Sequence, residues 1–159
     1  MENLVPTMVQ VHIARFTKER QLELLVLRRS ADVHLYPGIW QCVTGRVNTQ
    51  ESAVQAAIRE VLEETSLIPL RMWTLPHVAV WYSPNDNRVE HSPCFGVMVA
   101  ESSQPRLSNE HDAFEWLSPA TANIQLLIPS QRVCVELFAN QLESKLHDTL
   151  WNSVYEIVL

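Results

Sequence analysis

Apolar residues fall at alternate positions in VQVHIARF (Val9 to Phe16), and LELLVLRR (Leu22 to Arg29) is nearly continuously apolar up to its two arginines. Alternation is the signature of a half-buried strand, and a short apolar run bounded by turn formers that of a buried one. The pair therefore predicts two adjacent strands joined by the polar turn TKERQ. After SADVHLYPG, the segment IWQCVTG is β-branched and aromatic and ends at Gly45. Further strands are predicted at His77–Ser83, Cys94–Glu101 and around Phe114–Ser118, with SPNDNRVEHSP between the first two reading as a long loop that borders a substrate pocket. The period changes to helical after Glu51: Val54, Ala57, Ile58 and Val61 make one apolar stripe. Ser52 followed by Gln55 fits a capping box, so the helix starts at Ala53, and Thr65, Ser66 and Pro69 stop it near Leu67. A second helix is predicted from Pro129, with Val133, Leu137, Phe138 and Leu142 on its stripe and Ser130 as N-cap. Mixed strands with a few helices predict an α/β layered domain.

With 159 residues and 47% apolar content, the chain suits one domain spanning 1–159 rather than two. A net charge of -6 without a basic run argues against a nucleic-acid polymer as partner. Cys42, Cys94 and Cys134 are widely spaced in apolar surroundings, without zinc-site spacing, and read as reduced core residues. The N-terminus lacks a basic flank followed by an unbroken apolar segment, and no stretch approaches a membrane span, so a cytoplasmic location with no membrane contact is expected. The segment 147–159 is a C-terminal extension ending in apolar residues, expected either to pack back or to meet a second subunit in a homodimer.

Glu60, Glu63 and Glu64 crowd the end of the first predicted helix, where the dipole disfavours negative charge by roughly 0.3–1 kcal/mol each. Arg59 offsets part of this. Residues three and four apart share a helix side, so several carboxylate oxygens can meet at one place. A solvated helix face is the ordinary explanation of an acidic cluster; the alternative is a hard divalent cation, Mg²⁺ with Mn²⁺ as substitute, since zinc would call for His or Cys.

The spacing decides between them. Gly45, five residues, Glu51, seven residues, Arg59-Glu60, Val61, one residue, Glu63-Glu64, one residue, Ser66 and Leu67 resembles the Nudix box. Ser66 stands where that pattern has Gly, and RVNTQ lacks the family's usual acidic and Gly residues. The resemblance implies an α/β/α sandwich around a mixed sheet. It implies metal binding by Glu60, Glu63, Glu64 and the Gly45 carbonyl, with Arg59 paired to Glu51. WQCVTG and EHDAFEWLSPATA are similar to stretches of bacterial dihydroneopterin triphosphate pyrophosphatases, and the second also to the diadenosine tetraphosphate hydrolases; both imply that Glu110 reaches the metal cluster.

The activity so implied is Mg²⁺-dependent hydrolysis of a nucleoside or pterin triphosphate to monophosphate and pyrophosphate, with Glu63, Glu64 or Glu110 as proton acceptor. Alternatives are a dinucleoside polyphosphate hydrolase and a non-catalytic nucleotide-binding module. Arg28 and Arg29 end a predicted strand and are candidates for substrate phosphates, against a solvated role. Trp40, Trp81, Tyr82 and Trp116 are candidates for base stacking, Trp40 foremost, against core packing. His111, beside Glu110, is expected to orient its loop rather than to ligate.

Overall fold

The computed structural model describes residues 4–159. Strands β1 (Met8–Phe16) and β2 (Leu22–Arg29) pair antiparallel, as their patterns predict. They are followed by β3 (Trp40–Gln41), β4 (Val43–Arg46), α1 (Ala53–Thr65), β5 (Arg71–Ser83), β6 (Arg88–Met98), β7 (His111–Leu117), α2 (Pro119–Gln125), α3 (Pro129–Ser144), α4 (Thr149–Tyr155) and β8 (Glu156–Ile157). The strands form one mixed sheet in the order β3-β2-β1-β6-β5-β8, with β4 added to β1 and β7 to β2. Only β1 and β6 run parallel among the described pairs.

Period-two alternation gives this sheet two apolar faces. Val9, Val11 and Ile13 join Leu25, Leu27, Phe95 and Val97 beneath Ala56, Ala57 and Val61 of α1. Leu24, Val26, Trp73 and Cys94 lie on the other face beneath Cys134, Val135, Phe138 and Leu142 of α3. Helices on both faces of a mixed sheet make the α/β/α sandwich. The three cysteines are free and buried. No described helix is long and apolar enough to cross a membrane.

Several expectations need correction. The expected loop SPNDNRVEHSP is mostly strand: Arg88–Pro93 pairs with Val78–Ser83, leaving a turn at 84–87. Its polar residues disguised it, because the inward-facing Glu90 is buried against Thr7, Arg88 and Arg46 instead of apolar neighbours. At its other end β6 stops at Met98, before Glu101. Ser130 is not the cap of α3, which starts at Pro129 after Ile128 with no side-chain cap. Proline at the first helical position lacks one of the donors a cap would satisfy, and the Ser130 hydroxyl instead accepts from the Gln10 amide at 3.5 Å. Val133 is 42% exposed; the buried face runs through Cys134, Val135, Phe138 and Leu142. Helix α2 was not predicted, although Ser118-Pro119 is a cap followed by proline at the first turn.

The extension 147–159 packs back on the same chain. Strand β8 pairs with Met72 and Trp73 of β5, Asn152 accepts from the Trp73 indole at 3.0 Å, and Arg71 grips Glu156 through two bonds of 2.6 and 2.9 Å. Leu150, Val154 and Val158 stay on the outside.

Candidate active site

Helix α1 begins as its sequence dictates, with both capping-box bonds formed between Ser52 and Gln55. Its apolar stripe docks on β1 and β4, and this sets Glu60 directly over Gly45. A Cβ on Gly45 would fall inside the Glu60 side chain, so a glycine is needed there for close approach.

Arg59 organises the acids around it. Its guanidinium binds Glu51 through two bonds of 2.8 and 2.9 Å, Glu60 at 2.6 Å, Glu63 at 3.2 Å and the Arg46 carbonyl at 2.8 Å. The bond to Arg59 holds the Glu51 carboxyl down at about 2. Burial raises Glu60 in spite of the same guanidinium. Glu63 stays open to solvent, its side chain 59% exposed.

Glu64 behaves differently. It is only 2% exposed, and neither carboxylate oxygen has a hydrogen-bond partner among the described residues. Burial, together with the charges of Glu60 and Glu110, pushes its carboxyl well above the usual range. His111 Nδ1 lies 3.7 Å from Glu64 Oε2.

The end of α1 brings in the remaining acid. Ser66 takes the left-handed conformation (φ 57°) and its N–H returns to the Leu62 carbonyl. The carbonyls of Glu64 and Thr65 accept from the backbone N–H groups of Ser108 (3.2 Å) and Arg106 (2.8 Å). Helix carbonyls left over at a C-terminus must find donors, and here they bind the loop before β7 to the helix. Ser30 N–H binds the Glu110 carbonyl at 2.8 Å from the other side. Glu110, exposed, thereby lies close enough for its charge to act on Glu60 and Glu64.

The two arginines part company. Arg29 Nε donates to the Leu35 carbonyl at 2.8 Å, and its charge acts on Glu64 and His111. Arg28 pairs with Asp112 at 2.7 Å and lies 5.8 Å from the Trp40 ring centroid. The four aromatics form no common platform. Trp40 packs against the α3-side core, Trp116 against the α1-side core with Arg15 over its ring, and Trp81 and Tyr82 sit on the β5–β6 hairpin. Gln41, missed in the sequence, reaches His111 Nε2 at 3.2 Å. A glutamine inside a two-residue strand carries no sequence signal of such a role.

Among the described residues no three His, Cys, Asp or Glu side chains converge closely enough to hold a metal ion, since Glu60 and Glu63 both turn to Arg59.

The NUDIX domain family matches residues 6–138. An octanoyltransferase of Myxococcus xanthus is 40% identical over 86 residues, covering 54% of this chain and 24% of that protein. The dihydroneopterin triphosphate diphosphatase of Escherichia coli is 30% identical over 128 residues, covering 72% of this chain and 81% of that protein. This chain spans less than half the length of the first curated relatives it matches. Among solved structures, a Nudix hydrolase from Listeria monocytogenes superposes with a TM-score of 0.73 at 26% identity, covering 87% of this chain and 94% of that one. An Ap4A hydrolase of Caenorhabditis elegans superposes with a TM-score of 0.72 at 21% identity, covering 87% and 98%.

Proposed function

From the premise that this chain belongs to the Nudix family, we propose that it hydrolyses a phosphoanhydride of a nucleoside triphosphate or of dihydroneopterin triphosphate, releasing monophosphate and pyrophosphate. The observation that carries this reading is Glu64: a buried carboxylate with two unpartnered oxygens, beside Glu60 set over Gly45. An uncompensated buried charge is costly; carboxylate oxygens are by their chemistry the donors a divalent cation takes, and Glu60 and Glu63 would have to turn from Arg59 to join Glu64 around it. The 30% identity to a dihydroneopterin triphosphate diphosphatase supports the substrate class.

The family uses divalent cations. Glu60, Glu63, Glu64, Glu110 and the Gly45 carbonyl would hold Mg²⁺ or Mn²⁺, which when bound neutralises phosphate charge and lowers the pKa of a water. The chain's own residues do the rest. Glu51 anchors Arg59, and Arg59 holds Glu60, Glu63 and the Arg46 carbonyl in one frame. Arg29, whose charge acts on Glu64, is the favoured candidate for a substrate phosphate. Arg28, paired with Asp112, is the weaker candidate for the same role. Glu63 and Glu110 stay exposed, so either can take a proton from the attacking water and pass it to solvent; Glu64, buried, is a holder. Trp40 faces the α3-side core, which favours packing over base stacking.

A dinucleoside polyphosphate is the second reading, favoured by the Ap4A hydrolase likeness in fold. A non-catalytic binding module would be expected to have lost box acids, and all of them are present. Product analysis with Mg²⁺ across dATP, dihydroneopterin triphosphate and diadenosine tetraphosphate tests all three. Monophosphate plus pyrophosphate is expected; two nucleotide products would move the assignment to the second reading. Intact substrates, with Glu64→Gln binding as well as wild type, would leave the binding module.

A further inference from the structure

We propose that Gln41 and His111 are positioning residues for Glu64: the Gln41 amide decides which imidazole nitrogen carries the proton, and the His111 Nδ1–H then holds Glu64 Oε2. This rests on the hydrolase reading above and adds two residues to it.

Hydrogen-bond chemistry leads to the tautomer. Gln41 Nε2 lies 3.2 Å from His111 Nε2, and an amide nitrogen only donates, so the imidazole Nε2 accepts and the ring proton sits on Nδ1. That nitrogen faces Glu64 Oε2 at 3.7 Å, with both side chains buried. Each atom lacks any other partner among the described residues. Two orphaned groups of opposite hydrogen-bonding sense thus face each other, and an approach of under ~1 Å brings them into bonding range.

The fold builds this contact deliberately from three places. Gln41 is on β3 and His111 is the first residue of β7, where the pairing with β2 shifts register between Arg28 and Arg29. Such irregularities re-aim side chains near sites. The backbone on either side is fixed, through His111 N–H to the Ser108 carbonyl, Ser108 N–H to the Glu64 carbonyl and Ser30 N–H to the Glu110 carbonyl. Partners behind a ligating carboxylate set its orientation, and their loss typically lowers metal affinity or activity by about 10–100-fold.

The test has one arm without metal or substrate and one with both. Imidazole ¹⁵N–¹H spectra of the metal-free full chain should show the His111 Nδ1–H and an Nε2 that accepts from Gln41. That signal should move in Glu64→Gln, and Gln41→Leu should release a mixture of tautomers. In the kinetic arm, His111→Leu should lower kcat by about 10–100-fold with KM changed less than about threefold, while His111→Asn, whose amide N–H occupies the region of Nδ1–H, should recover most of the loss. A wild-type proton on Nε2, or an Asn variant as impaired as a folded Leu variant, overturns the proposal. If the wild type cleaves no phosphoanhydride, the hydrolase reading falls, and the tautomer spectra decide the contact separately.

Discussion

Glu64 shows at the scale of one residue how a site costs stability. Its carboxyl is raised by burial and by neighbouring acids, so the folded protein holds its proton more tightly than the unfolded chain does. The stability this contributes is fully present below the ordinary value of 4.5 and is lost as pH rises through the folded value. Metal-free Glu64→Gln should therefore melt higher than metal-free wild type at neutral pH, by about 2–4 °C for each ~1 kcal/mol recovered. The difference should vanish near pH 4, by calorimetry across pH. Saturating Mg²⁺ should raise the wild-type midpoint and leave that of Glu64→Gln nearly unchanged. Of the neighbouring residues, Glu51, Arg59, Glu60 and Glu63 were legible from spacing because a helix maps sequence distance onto geometry. The pairing of Gln41 with His111 was not, because 70 residues separate them.

Helix α1 carries its own start and an imperfect end. The Ser52–Gln55 capping box was readable because it depends only on residues three apart. Ser66 adopts φ 57°, a conformation that glycine takes without strain and an L side chain takes at a cost. Ser66→Gly should raise the urea midpoint by the equivalent of about 0.5–1 kcal/mol, without moving the glutamates and hence with kcat unchanged. A lower midpoint would show that the serine hydroxyl, 3.5 Å from the Arg106 carbonyl, contributes more than the backbone strain removes. Strand β6 is the converse case. The sequence of its first half, Arg88–Pro93, reads as loop, and only the long-range partners of Glu90, Thr7 and Arg46 among them, make an inward-facing acid compatible with a sheet.

For the molecule as a whole, the two faces of the sheet separate tasks. The α1 face holds the acids, while the far edge at β5 is closed by the C-terminal extension. Removal of residues 147–159 would unpair Met72 and Trp73, take Glu156 from Arg71 and take Asn152 from the Trp73 indole. The truncated chain should lose on the order of 2 kcal/mol in urea denaturation. Its kcat/KM should stay within about twofold of wild type, since the extension pairs with β5 at the sheet edge and its hydrogen bonds go to Arg71 and Trp73 rather than to the acids.

The amino-acid pattern alone determined the alternation that builds β1 and β2, the limits and cap of α1, and the row of acids on it, because each depends on residues within a few positions of one another. Tertiary structure alone decided which arginine turns toward the acids, that Glu110 is bound to the helix end through its own loop, and that Glu64 lies buried beside His111. Those outcomes depend on register between distant strands and on desolvation, and neither quantity exists until the chain has closed on itself.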